Sequence, residues 1–237
     1  VGLQNFIDAL ASTQFQNAFK NTLILFLLYM GLGFWVPAVQ AVLLNVIRGR
    51  GRGIFQYLYL MAMSLPMIAG YVIWKWIWHP DYGLANAILR RFGMGPLGWL
   101  VKLTLRLPLL LGGGFAIMYY LAAIENTPKD VYEAAIMDGA SLWQQCWWIT
   151  IPTMWPVVII NFIMALANSL LVFNDVLVMT QGGPAGASET LVLGLYNRAF
   201  GPAQLMGEGS AWAVLIALVT LVITSIQLWY STRSESV

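Results

Sequence analysis

The chain has 237 residues, of which 59% are hydrophobic and 9% charged, with a mean hydropathy of +0.73 and a formal net charge of +2. Its apolar surface, with 11 Trp, 11 Phe and 10 Tyr, exceeds what a soluble domain of this size can hide, and the weak charge, with no basic cluster among stacking aromatics, excludes nucleic-acid binding. The single cysteine, Cys146, excludes an internal disulfide, and the single histidine, His79, leaves no His/Cys set for a transition metal; both read as packing or interface residues.

Residues 1–21 form an extracytoplasmic lead-in, with Phe6, Leu10 and Phe15 spaced to lie along a membrane surface. The first residue is Val1 and no positively charged signal segment precedes an apolar run, so either processing or trimming has removed the true start or the sequence begins late. Five apolar stretches of spanning length follow, roughly 22–47, 54–78, 104–124, 155–180 and 210–230. A spanning helix needs about 20 mainly apolar residues, because the hydrocarbon core is about 30 Å thick and each residue rises about 1.5 Å. None of the stretches alternates polar and apolar residues on a two-residue period, as a membrane barrel strand must. The expected fold class is all-α: a polytopic membrane helical bundle in which residues 22–237 form one transmembrane domain.

Between the first two spans, RGRGR at 48–52 is the one local basic cluster, and it favours a cytoplasmic position for that loop and for the 125–153 loop. The full Lys and Arg count does not decide the orientation. On this choice Arg48, Arg50, Arg52, Lys129 and Arg233 fall inside, whereas Lys20, Arg90, Arg91, Lys102 and Arg198 fall outside. Pro37, Pro66 and Pro108 lie within spans and are candidates for bends. After the second span, Leu84, Ala85, Ile88, Leu89 and Phe92 recur at helical spacing with Arg90 and Arg91 off that face. This predicts a short interfacial helix followed by a turn in FGMGPLG, residues 92–98. Trp74, Trp76, Trp78 and Tyr82 gather at the same depth, as in an aromatic belt.

The 125–153 loop is the polar exception in an oily chain, with Glu125, Lys129, Asp130, Glu133 and Asp138 falling within 14 positions of one another, from 125 to 138. Thr127, Pro128 and Asp130 predict a helix start at 128 with a capping box. Ala134 and Ala135 favour the helix and let another backbone approach closely. Gly139 is placed to end it in the left-handed conformation. Ser141 with Gln144 predicts a second capping box and a helix to about residue 150, after which Pro152 and Pro156 mark the return to the membrane. The product is a helix, glycine turn, helix knuckle outside the bilayer. Its small residues Ala134, Ala135, Gly139 and Ala140 offer a surface to another protein, and Glu133 and Asp138 offer carboxylates to basic groups. From the caps alone, an ordinary solvated loop is the competing reading.

In the fourth span Asn161, Asn168 and Asp175 recur every seven residues, near one helical face, flanked by Ser169 and Asn174. An Asp at the membrane centre costs roughly 2.5 to 3.5 kcal/mol unless paired or wetted, so these groups are expected to face the bundle interior. Interhelical hydrogen bonding to a partner subunit also accounts for them. No inverted pair of spans is evident, which disfavours a secondary carrier. The sequence holds no G-x-x-x-x-G-K-[ST] phosphate loop, no HExxH pair, no Gly-x-Ser-x-Gly turn and no close pair of carboxylates at membrane depth. No catalytic residue, metal site or cofactor is expected in this chain.

The stretch EAAIMDGASLWQQCWWITIPTMWP, Glu133 to Pro156, resembles the EAA loop of permease subunits of binding-protein-dependent ABC importers. That motif reads Glu-Ala-Ala, three residues, Gly, nine residues, Ile and a following Pro; Gly139, Ile149 and Pro152 fall at those places. NTL at 21–23, LPMIAGYVIWKWIWHPDYGLAN at 65–86 and FNDVLVMTQGGP at 173–184 are similar to the sugar-importing branch. TQGGP, Thr180 to Pro184, resembles the maltose-type first permease subunit. Cys146 departs from the pattern, standing where an aromatic is common. The resemblance covers nearly the whole chain.

The resemblance implies a type I ABC importer permease fold with a further span before residue 1, in the cytoplasmic (inner) membrane of a bacterium or archaeon. It implies as partners a second, different permease subunit, two ATPase subunits that hold ATP and Mg, an extracytoplasmic solute-binding protein and the sugar itself, with lipid around the spans. The loop at 125–153 then couples the ATPase to the spans. Glu133, Ala134, Ala135, Asp138, Gly139, Ala140 and Ser141 become the ATPase-docking residues, Glu133 pairing with a basic group and Gly139 setting the turn. Sugars need donors and acceptors beside aromatics, so Asn161, Asn168, Phe173, Asn174 and Asp175 become the candidate substrate path. A non-sugar solute such as glycerol phosphate or a polyamine, or an ion-coupled secondary carrier, are the alternatives.

Overall fold

The computed structural model describes residues 3–46, 50–79, 81–94 and 114–234, and among these there is no strand. In chain order the α-helices are α1 (Gln4–Ala11), α2 (Thr13–Leu28), α3 (Trp35–Val46), α4 (Arg50–Met63), α5 (Met67–Ile77), α6 (Leu84–Arg91) and α7 (Gly114–Glu125). They continue with α8 (Lys129–Met137), α9 (Leu142–Gln145), α10 (Ile151–Leu170), α11 (Asn174–Met179), α12 (Leu191–Phe200) and α13 (Met206–Ser234). π-Helical turns at Tyr29–Gly33 and Cys146–Thr150 join α2 to α3 and α9 to α10.

Among the described residues, three helical stretches are long and apolar enough to cross a membrane: Thr13–Val46, Leu142–Leu170 and Met206–Gln227. The five expected spans are therefore not five unbroken helices. The second is interrupted between α4 and α5, where Pro66 has no amide to donate and biases Leu65 away from the helical region. At 14 residues, α4 reaches only about 21 Å, short of the hydrocarbon core. The first span starts earlier than expected, at Thr13, and its π-turn precedes Pro37, which cannot donate to the Gly33 carbonyl. The expected third span falls partly outside the described residues, as do Arg48, the 92–98 turn and Pro108. The short helix expected after the second span forms as α6, and beside it Trp74 stacks on Trp78 at 5.9 Å and His79 on Tyr82 at 3.6 Å.

The chain divides into two compact units. The first comprises residues 1–29, 67–108 and 165–237. Its core joins Ala9, Phe15 and Ala18 to Leu191, Trp212 and Ile216. Phe15 does not lie on the membrane surface: it meets Trp212 edge to face with ring centroids 4.9 Å apart, and the buried Ala9 and Ala18 leave it room. α12 packs along α13, and Gly194 permits the approach, since a Cβ there would lie 2.4 Å from the Trp212 ring.

The second unit comprises residues 30–66 and 109–164. α3 lies along α7, with the buried small residues Ala38 and Ala41 on one helix and Ile117, Leu121 and Ile124 on the other. Small residues at such a seam let backbones come close where lipid offers no hydrophobic drive. Gln56 of α4 donates to Glu125 at the end of α7 at 3.0 Å.

Candidate functional site

The knuckle begins where α7 ends. Pro128 stands at the N-cap of α8 in an extended conformation, and no side chain caps the helix there. The expected Thr127 capping box does not form, because the proline occupies the cap itself and the buried Thr127 hydroxyl finds no partner among the described residues. Asp130 still sits in the first turn, where a carboxylate favours the positive helix end.

The far end of α8 closes as expected. Gly139 has φ +77°, its amide donates to Ile136 at 3.0 Å, and the Ala140 amide donates to Ala135 at 2.9 Å. This is a Schellman stop, which satisfies the last carbonyls of the helix and reverses the chain. Ser141 and Gln144 form the second capping box: the Ser141 amide donates to Gln144 Oε1 at 2.8 Å, and the Gln144 amide donates to Ser141 Oγ at 3.3 Å. Two further bonds brace the limbs. Gln145 Nε2 donates to the Ala140 carbonyl at 2.9 Å, and the Tyr132 and Thr150 hydroxyls lie 3.0 Å apart.

The second limb does not stop near residue 150; α9, the π-turn and α10 form one continuous rod from Leu142 to Leu170. Pro152 and Pro156 remove amides that an uninterrupted α-helix would use. The wider π-turn just ahead of them, with Thr150 Oγ1 donating to the Gln145 carbonyl at 3.4 Å and Thr153 Oγ1 to Ile149 at 2.7 Å, keeps the rod intact. Among the described residues no break in the helix follows Ser141 before Leu170.

The knuckle gathers the expected docking residues on its surface. Glu133, Ala134, Asp138, Gly139 and Ser141 are exposed, and Ala135 and Ala140 half-buried. Glu133 and Asp138 form no ion pair among the described residues, and between them Met137 is 86% exposed.

The polar residues of the fourth span are not all on one helix. Asn161 and Asn168 lie on α10, where Asn161 donates to the Val157 carbonyl at 3.1 Å, but α10 ends at Leu170 and Asp175 belongs to α11. The expected seven-residue recurrence thus breaks before its third member. The link between the helices is held by Thr190, whose hydroxyl donates to the Val172 carbonyl at 2.8 Å. Asn168 and Asn174 are exposed, whereas Phe173 and Asp175 are half-buried.

Sequence reasoning missed two groups in the first unit. Tyr71 on α5 lies beside Asp175 on α11, and four residues on, Lys75 Nζ donates to the Val178 carbonyl at 3.4 Å, where the two helices pack together. The TQGGP loop is also pinned: Asn21 Nδ2 donates to the carbonyls of Gly186 and Glu189 at 3.1 and 3.0 Å. The buried Glu189 accepts from Asn197 at 3.1 Å and Gln14 at 3.4 Å. Arg198 pairs with Glu208, donates to Gln14 at 2.7 Å and lies 4.8 Å over the Trp212 ring. The NTL at 21–23 was a usable signal: Thr22 Oγ1 accepts the Leu191 amide at 3.0 Å beside the Asn21 bonds.

A polytopic, all-α membrane chain that carries a braced and exposed helix-turn-helix with EAA spacing defines a permease subunit. The chain belongs to the family of binding-protein-dependent transport system inner membrane components, whose model matches residues 32–234. It is 33% identical to a probable ABC transporter permease of Brucella suis over 98% of this chain and 82% of that protein. It is 30% identical to the trehalose/maltose transport system permease MalF of Thermococcus litoralis, over 96% of this chain and 78% of that one. Among solved structures, it matches a chain of a bacterial ABC transporter for the import of the acidic polysaccharide alginate, with TM-score 0.85, 26% identity and coverage of 98% and 84%. A second structure of an alginate ABC transporter, in complex with a periplasmic protein bound to alginate pentasaccharide, matches with TM-score 0.85, 26% identity and coverage of 98% and 83%. The fold is that of a type I ABC importer permease.

Proposed function

We propose that this chain is one of two permease subunits of an ATP-driven importer that takes up a sugar or oligosaccharide handed over by a solute-binding protein. ATP and Mg are held by two separate ATPase subunits, and the residues from Glu133 to Ser141 dock on them at the cytoplasmic face of a bacterial or archaeal membrane. The observation that carries this reading is the braced knuckle continuous with a membrane-length rod, Leu142–Leu170, because such a body converts a push at its tip into motion of the span. The sugar assignment is supported by the trehalose/maltose and alginate relatives and by polar groups beside aromatics from Asn168 to Asp175.

The test is uptake by the importer reconstituted with its natural partners, offered sugars, oligosaccharides, glycerol phosphate and a polyamine. Glu133→Lys and Gly139→Trp are expected to abolish uptake and the stimulated ATPase while the subunit still inserts. Normal uptake in both variants overturns the docking role, and uptake confined to a non-sugar overturns the substrate class.

A further inference from the structure

We infer that Phe173, Tyr196 and Phe200 form a stacking ladder for successive rings of an oligosaccharide, an extension of the solute path that rests on the sugar-importer reading above. Tyr196 and Phe200 are four residues apart on α12 and so share a face, with ring centroids 5.6 Å apart. Phe173, at the start of α11, continues the row with its centroid 5.3 Å from Tyr196. The rings are tilted by 57° and 43° rather than stacked on one another.

The row becomes more open along its length. Phe173 is half-buried, Tyr196 is 41% exposed and Phe200 64% exposed. Next to Phe173 stand the exposed Asn174 and the half-buried Asp175, which lies beside Tyr71. Apolar ring faces that grade into amide and carboxylate groups match the two-sided chemistry of a pyranose, whose C–H faces stack on aromatics while its hydroxyls seek donors and acceptors. A patch turned to lipid alone has no use for the polar end, since uncompensated polar groups are costly there. The centroid spacing is close to the length of one sugar unit, so the ladder suits a chain of linked rings better than a single one.

The loop and helix that carry the row are held rigid from behind. Asn197, between the two α12 rings, donates to the buried Glu189, and Arg198 is fixed by Gln14, Glu208 and Trp212. The rings are thus set before a ligand arrives, which lowers the ordering cost of binding.

The experiment uses the complete reconstituted importer and a panel of α- and β-linked oligosaccharides of one to six units. Tyr196→Ala and Phe200→Ala are each expected to lower uptake efficiency for the longest transported member by about fivefold, with little change for the shortest, as lost ring contacts of this kind imply. Tyr196→Phe keeps the ring and is expected to transport as wild type. Variants that match wild type at every chain length overturn the ladder alone. Equal losses at every length, with less assembled complex, assign the rings to packing and overturn it as well. A wild-type importer that moves no member of the panel overturns the sugar reading itself.

Discussion

The Ala140 amide donates to the Ala135 carbonyl at 2.9 Å across Gly139, whose φ of +77° is the one left-handed residue in the knuckle. No heavy atom lies within 4 Å of where a Gly139 Cβ would stand, so the glycine serves the backbone angle and leaves the space in front of it open. Gly139→Ala should therefore cost about 1 kcal/mol through backbone strain, with no clash. Gly139→Asn tolerates the left-handed angle but puts an amide into the open space. Thermal unfolding should show Gly139→Asn more stable than Gly139→Ala, while ATPase stimulation by loaded binding protein is lower in both than in wild type. Full stimulation in Gly139→Asn would show that the space is not a docking surface.

The reciprocal bonds of Ser141 and Gln144 start the rod at the tip of the knuckle. Ser141→Ala is expected to cost about 1 kcal/mol of local stability. Because one geometry serves both bonds, a double-mutant cycle with Gln144→Ala should be less than additive. Hydrogen exchange at residues 142–145 in the purified complex checks this, and unchanged protection in Ser141→Ala would count against it.

In the first unit, Gly194 lies against the fully buried Trp212, so even a methyl group at Gly194 meets the indole at 2.4 Å. Gly194→Ala should destabilise by about 1 to 3 kcal/mol, the usual cost of overpacking. Trp212→Phe opens space at that point, and the double variant should unfold at a higher temperature than the sum of the two single effects predicts. Strict additivity would show that the contact is not what limits the site.

Tyr71 places its hydroxyl beside Asp175, where α5 packs against α11. Tyr71→Phe removes that donor and should cost about 1 kcal/mol, near the net worth of a typical hydrogen bond. Asp175→Asn keeps an acceptor and should cost less than Asp175→Leu. Thermal unfolding of the three variants in detergent decides the order, and a Tyr71→Phe protein as stable as wild type would show that the contact carries no net stability.

The parts of the knuckle that depend on neighbours in sequence were legible. Gly139, Ser141 and Gln144 act through backbone angles and short-range bonds, and all three stand as read. Thr127 was misread because Pro128 takes the cap position rather than the first helical turn. The link after α10 was invisible for a different reason: its Val172 carbonyl accepts from Thr190, 18 residues further along the chain. Phe15 looked like a surface aromatic because its partner, Trp212, lies nearly the whole chain away. Hydrophobicity showed that the chain belongs in a membrane, but Pro66, which divides the second span, acts through a single missing backbone amide that a hydropathy window averages out.

The most direct test of the central claim is to place a cysteine at Met137, 86% exposed at the tip of the knuckle, with the buried Cys146 as the only native thiol. In membranes containing the whole importer, Met137→Cys is expected to cross-link to the co-purifying ATPase subunit and to resist an impermeant thiol reagent added outside intact cells. Labelling from outside, with no cross-link to any subunit, would contradict the account.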